Sequence, residues 1–107
     1  IIHIRNQVMT QERLNQEMQN CIVENNLRAI KLLLEFGANP NAQTQAGWTL
    51  LHDAAMYRIE IAQALIEAGA DLDAQFSSST IHSDKTPIAI AKMYCHDEMV
   101  EMLKQVA

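Results

Sequence analysis

Apolar positions recur along this chain in short helical stripes, separated by glycine, asparagine and proline. Between Thr49 and Gly69, Leu50, Leu51, Ala54 and Ala55 form one stripe, and Ile59, Ile61, Ala62, Leu65 and Ile66 form a second. The spacing of the first set puts it on one side of a helix of about two turns. Thr49 offers a hydroxyl to the free N–H groups at the helix start, and Gly69 is the residue expected where a chain leaves a helix with positive φ. Leu14, Met18, Cys21 and Ile22 predict an earlier helix, broken at Asn25-Asn26. Leu27, Ile30, Leu33 and Leu34 predict the next, which stops at Gly37. After Thr86, read as a helix cap, Pro87 takes the first helical position, where its missing N–H is harmless. Met99, Val100, Met102, Leu103 and Val106 lie on a last helix. The pattern therefore predicts helices near 11–24, 27–36, 49–57, 59–68, 86–94 and 97–106. Ile1 to Met9 mixes apolar and polar residues and fits a capping helix, a strand or a tail equally well.

The stripes belong to a repeat. LLLEFGANPNAQ (Leu32 to Gln43) matches ALIEAGADLDAQ (Ala64 to Gln75), 32 residues from Gly37 to Gly69. Thr49 to Thr86 is longer, 37 residues, and the excess lies in Phe76 to Lys85, FSSSTIHSDK. Two helices of about two turns cannot bury both their stripes alone, so each unit needs neighbours stacked on it.

Gly47-Trp48-Thr49-Leu50-Leu51-His52-Asp53-Ala54-Ala55 resembles the G-x-T-P-L-H-x-A-A start of the ankyrin repeat, with Leu50 in place of proline. Gly69-Ala70-Asp71-Leu72-Asp73-Ala74 is similar to its G-A-D-V-N-A end, Gly37 to Ala42 is a close variant, and Thr86 to Ala91 is a third start without the histidine. The resemblance runs from about Leu14 to Val106. It implies an all-α ankyrin-repeat solenoid, in which helix-turn-helix units are joined by β-turn loops. Residues 1–107 are read as one such domain, with repeats at about 14–43, 44–75 and 84–107, an insertion at 76–85 and an N-terminal extension at 1–13. The middle repeat is one residue short, since Arg58 runs directly into Ile59 where the family has Gly-His. Restoring the family's proline at Leu50 is expected to stabilise the chain modestly, because proline pre-sets φ there.

Composition narrows the function classes. Apolar residues make up 49% and aromatics 5%, so the core must be built from Leu, Ile, Ala and Met. The net charge is −5 and no run of Lys or Arg exists to neutralise phosphates, which argues against nucleic acid. No apolar run approaches the roughly 20 residues that span a bilayer, and no signal-peptide layout is present, so membrane insertion is not expected. Cys21 and Cys95, both in helical patterns, suit reduced thiols and a cytoplasmic protein. The opening Ile1 suits a piece cut from a longer protein.

No nucleophile, base and orienting group can be assembled, so an enzyme is not expected, and no cofactor or metal site is read. His52 invites a catalytic reading, but the resemblance makes it the residue that ties the start motif to nearby backbone. Asp71 and Asp73 read as loop carboxylates, and His3, His82 and His96 have no zinc-ligand spacing.

A second recurrence is not required by packing. Met56-Tyr57 and Met93-Tyr94 repeat one dipeptide in successive units, at positions that in ankyrin proteins vary and face the concave groove. Trp48 and Lys85 share the variable slot before the Thr. Tyr and Trp are enriched in interface hot spots, and Met gives adaptable contact area. Trp48, Met56, Tyr57, Lys85, Met93, Tyr94, Gln45 and Glu24 are thus the expected partner-binding residues. The alternative is that Trp48 packs on its own turn and the tyrosines cover helix seams.

The expected function is non-enzymatic binding of a partner protein through the concave helix face and loop tips. The competing reading is a regulatory or targeting module of a larger multidomain enzyme, such as an effector secreted by a bacterium into a host cytosol. Self-association stays open, since the N-terminal edge carries no obvious polar cap.

Overall fold

The structure is a computed structural model that describes residues 3–4, 7–8, 10–43, 47–77 and 85–106. Among the described residues six helices follow a small hairpin: β1 (His3–Ile4), β2 (Gln7–Val8), α1 (Gln11–Glu24), α2 (Leu27–Glu35), α3 (Leu50–Tyr57), α4 (Ile59–Glu67), α5 (Pro87–Met93) and α6 (Asp97–Val106). Consecutive helices pair as α1–α2, α3–α4 and α5–α6. The inner helices α1, α3 and α5 pack side by side, and α2 packs on α4 behind them. The result is an elongated body of 46 × 28 × 22 Å.

The core follows the sequence stripes. Leu14, Met18, Cys21 and Ile22 of α1 are buried, as are Leu50, Leu51, Ala54 and Ala55 of α3, Ile90 and Ala91 of α5, and Ile61, Ala62 and Leu65 of α4. Alanine at 54, 55 and 91 keeps the inner layer thin, so the neighbouring helices approach closely enough to bury the longer side chains. Buried Met99, Met102 and Leu103 fix α6 on α5.

The ends of α1, α2, α4 and α5 share one device. Gly37 (φ 100°) and Gly69 (φ 103°) adopt left-handed backbone, as do Asn25 (φ 57°) and Cys95 (φ 55°). At all four, two backbone N–H groups turn back to carbonyls of the preceding turn, such as Asn25 N–H to Ile22 O and Asn26 N–H to Cys21 O. This satisfies acceptors that the helix leaves open. Cys95 therefore lies between α5 and α6, in the break expected between helices 86–94 and 97–106, and takes the left-handed conformation although it is not glycine.

The helix starts differ from expectation in two places. Thr86 holds the N-cap position of α5 with extended backbone, but its hydroxyl makes no capping bond, and Pro87 follows at the first position. At Leu50 the amide that proline would lack is in use: it donates to Ala42 O at 3.3 Å, and the side chain is fully buried. The expected gain from proline there is thus reversed, because a bond and a core side chain would be lost together.

Hairpins precede the inner helices. Gln43 pairs with Thr49 ahead of α3, and Phe76 N–H donates to Lys85 O at 3.4 Å ahead of α5. The N-terminal segment, left open by its pattern, supplies the corresponding hairpin ahead of α1, with His3 opposite Val8 and Ile4 opposite Gln7. Between repeats, Asn41 acts as a clasp: its Nδ2–H donates to Gly69 O (3.1 Å) and its Oδ1 accepts from Asp71 N–H (2.6 Å). Asp71 in turn accepts from Asp73 N–H at 2.9 Å, so this carboxylate shapes its own turn.

Candidate partner-binding surface

The matching helix ends place three residues in register. Val23, two before left-handed Asn25, corresponds to Met93, two before left-handed Cys95. Met56 takes the same place in α3, counted from the buried small residues Cys21, Ala54 and Ala91. Val23 is 65% exposed, Met93 55% and Tyr94 57%, while Met56 is half-buried. A row of apolar side chains thus crosses the ends of α1, α3 and α5, with Val23 and Met93 largely exposed and Met56 partly packed on the core. Glu24, exposed, stands in α1 where Tyr94 stands in the third unit. Tyr57 closes α3, but its side chain lies outside the described residues, as do Gln45 and residues 78–84 of the insertion. Val23 was missed by sequence reasoning. The signal that finds it is its distance from Asn25, legible only once Asn25 and Cys95 are known to share a conformation.

The missing residue of the middle unit shapes this row. Arg58, with φ −124° and ψ 77°, both ends α3 and starts α4, so no left-handed residue intervenes. Its side chain reaches back across the repeat boundary: Nε–H donates to Ile22 O at 3.0 Å and Nη2–H to Val23 O at 2.8 Å. These carbonyls end α1, which has no basic residue in its own last turn, so a cation from the next repeat meets the negative end of the helix dipole.

The second cluster surrounds His52, which is fully buried. Thr49 N–H donates to His52 Nδ1 at 3.0 Å, so Nε2 carries the proton and donates to Lys85 O at 2.8 Å. His52 therefore joins the start of α3 to the approach to α5, the structural role implied by the repeat motif. Burial pushes its pKa down, against the upward pull of its backbone partners Lys85 and Ala74 and the Asp53 charge. Trp48 stacks on His52, with centroids 5.0 Å apart, and meets the edge of buried Phe76 at 4.9 Å. Its Nε1–H donates to Asp53 Oδ1 at 2.6 Å. Burial raises the Asp53 carboxyl, opposed by the Trp48 hydrogen bond and the neighbouring His52. Trp48 is thus half-buried on its own turn, and the insertion is anchored at its base by Phe76.

The sequence-selected residues that are described fall at two places. Trp48 and the Lys85 carbonyl meet around His52 at the start of α3. Met56 belongs to the other end, about 12 Å away along an eight-residue helix, in register with Met93 and one residue short of the position that Glu24 and Tyr94 share. Cys21 is buried with its thiol pKa raised by burial and by the charges of Glu24 and Glu17, and Cys95 is exposed. Among the described residues no His, Cys, Asp and Glu side chains gather as a metal site, and no helix is long and apolar enough to cross a membrane.

A family model for ankyrin repeats, in three copies, matches residues 18–106. Human protein phosphatase 1 regulatory subunit 27 is 37% identical over 68 residues, 63% of this chain and 44% of that protein. The mouse protein of the same name is 35% identical over 68 residues. The chain thus spans less than half the length of these curated relatives. The family match, the repeated helix pairs and the buried start-motif histidine agree, and the chain belongs to the ankyrin-repeat family.

Proposed function

We propose that this chain is a non-enzymatic protein-interaction module, binding a partner protein across the concave ends of α1, α3 and α5 and the neighbouring hairpin tips. The observation that carries the reading is the exposed apolar row. Val23, Met93 and Tyr94 present more than half their surface to solvent in a chain whose other inner-helix apolar residues are mostly buried. Met and Tyr at such positions give contact area at low ordering cost on a pre-formed surface. Met56, Tyr57 and Glu24 extend the row, while Trp48, Lys85 and Gln45 belong to the hairpin approaches. A non-catalytic role fits both the family and the regulatory-subunit relatives.

The test compares wild type with a Val23→Ser, Met93→Ser, Tyr94→Ser variant, its fold verified by circular dichroism, in capturing proteins from native lysate. Partners retained equally by both would remove the site from the helix ends. A second reading follows from the name of the relatives: the module regulates a protein phosphatase. Calorimetric titration with the catalytic subunit of protein phosphatase 1 separates the two, since regulation of that enzyme requires direct binding.

A further inference from the structure

The positions that neighbouring repeats cover can be read from burial, counting along each helix from the left-handed residues that flank it. Ala29, Leu32 and Leu33 of α2 are only partly covered, Leu32 being 48% exposed. Their counterparts in α4 (Ile61, Ala64, Leu65) and α6 (Met99, Met102, Leu103) are buried. In the same way Glu17 of α1 is half-buried where α3 has buried Leu50 and α5 buried Pro87. These positions face the preceding repeat, and among the described residues no helix precedes α1. The other end mirrors this. Met18, Ile22 and Ile30 of the first unit and Leu51, Ala55 and Ala62 of the second are buried. Their counterparts in the third are half-buried Ile88, exposed Lys92 and half-buried Val100. We propose that a second copy of this chain covers the open α1–α2 edge, stacking its own α5–α6 edge there head to tail in the register that repeats use within the chain.

The stacking surface is continuous with the one inside the molecule, since α2 already packs on α4 and α1 on α3 in that register. Charge then selects the pairing. Glu17 is the charged residue among the positions facing backward, and Lys92 is the one among those facing forward. Glu24, a heptad after Glu17, lies on the same side of α1, and both carboxylates raise the thiol of Cys21 between them. In the repeat register Lys92 takes the level of Ile22, between the two carboxylates, while Arg13 lies about 13 Å away along α1. Arg58 is on the opposite side of α1, toward the second repeat. At the outer seam Gln63 shares a groove with Glu98, Glu101 and Gln105. Across the stacked edges Glu101 takes the place of Gln63, and Arg28, Lys31 and Glu35 take the places of those three, so the carboxylate meets a net positive strip. Asp97 and Lys104, at the flanking half-buried positions, cancel each other. The exposed Lys104–Glu101 pair (3.7 Å) is worth little and exchanges readily. Pairing two like edges would instead set carboxylates against carboxylates or lysines against lysines. Because the two edges differ, the contact is heterologous and adds copies without closing.

Sedimentation velocity from about 10 to 500 µM covers the dissociation constants of weak contacts. The wild-type sedimentation coefficient should rise past the dimer value without a plateau, and less so at high salt. Leu32→Ser should weaken association about tenfold. Lys92→Glu alone, or Glu17→Lys with Glu24→Lys, should weaken it about tenfold by setting like charges together. An equimolar mixture of those two variants should associate again, because every junction in an alternating stack is then complementary. Circular dichroism checks each fold. Lys92→Glu alters an exposed side chain, so the charge test stands even where Leu32→Ser fails to fold. A monomer at every concentration would overturn the proposal and leave the edge to a different occupant. Association that stops at a dimer, or a variant mixture that stays monomeric, would overturn it as well. Loss with Met93→Ser but not with Leu32→Ser would move the contact to the helix-end row and likewise overturn it.

Discussion

Arg58 gives the sharpest test of how the shortened middle repeat is held. Replacing it with methionine keeps most of the aliphatic stem and removes the guanidinium that donates to Ile22 O and Val23 O. Hydrogen bonds from a charged donor contribute roughly 1.5–3 kcal/mol each in favourable settings. Both are discounted here. Ile22 O keeps a second donor, Asn25 N–H at 3.1 Å, and the bond to Val23 O is exposed, so water replaces it. Favourable charge at the helix end adds about 0.3–1 kcal/mol. A total loss of about 1.5 kcal/mol is expected, which lowers the urea midpoint by about 1 M with an unchanged slope. Arg58→Lys should recover only the helix-end part, since an ammonium cannot hold both carbonyls in a fixed fork. A methionine variant within about 0.3 kcal/mol of wild type would mean that the left-handed turn at Asn25 secures α1 unaided. A lysine variant as stable as wild type would assign the effect to charge alone.

Other outcomes follow from the same structure. Because the folded-state pKa of His52 lies below its ordinary value of 6.5, stability should fall as pH drops below about 6.5, by at most about 1.4 kcal/mol per pH unit. Asp53 acts with the opposite sign, its raised carboxyl favouring the folded state as pH falls toward 3.8. Urea titrations at several pH values should show the His52 slope in wild type and a flatter profile in His52→Gln. A flat wild-type profile refutes the assignment. At Gly47 (φ 82°) an added Cβ would sit 2.7 Å from Gln75 O and 3.2 Å from Phe76 Cα, both backbone atoms. Gly47→Ala should therefore cost about 2–4 kcal/mol by denaturant titration, and a neutral result would place the hairpin wrongly. Leu50→Pro should lower the melting temperature, because losing the bond to Ala42 O and a buried leucine outweighs the ~0.4–1 kcal/mol gained from a stiffer unfolded chain. A raised melting temperature would show that the Leu50 amide is idle.

Periodicity alone determined the helices, the repeat and most of the core. Stripes such as Leu14, Met18, Cys21 and Ile22 report burial through spacing, and spacing is a local property that one sequence displays. The glycines after α2 and α4 were legible for the same reason, since left-handed backbone has a residue signature. Tertiary structure decided what depends on residues distant in the chain. The Arg58 guanidinium reaches α1 across 36 positions, and Asn41 clasps Gly69 across 28. Cys95 falls in the break expected between two helices, but its left-handed conformation is not announced by its residue type as a glycine's is. The same limit hid Val23, whose place in the row depends on aligning helix ends through Asn25 and Cys95. Nor does the sequence say that the Trp48 indole bonds to Asp53 and packs on Phe76, 28 residues away. Spacing along one helix records which face is buried. Which neighbour does the burying is fixed only when the repeats stack.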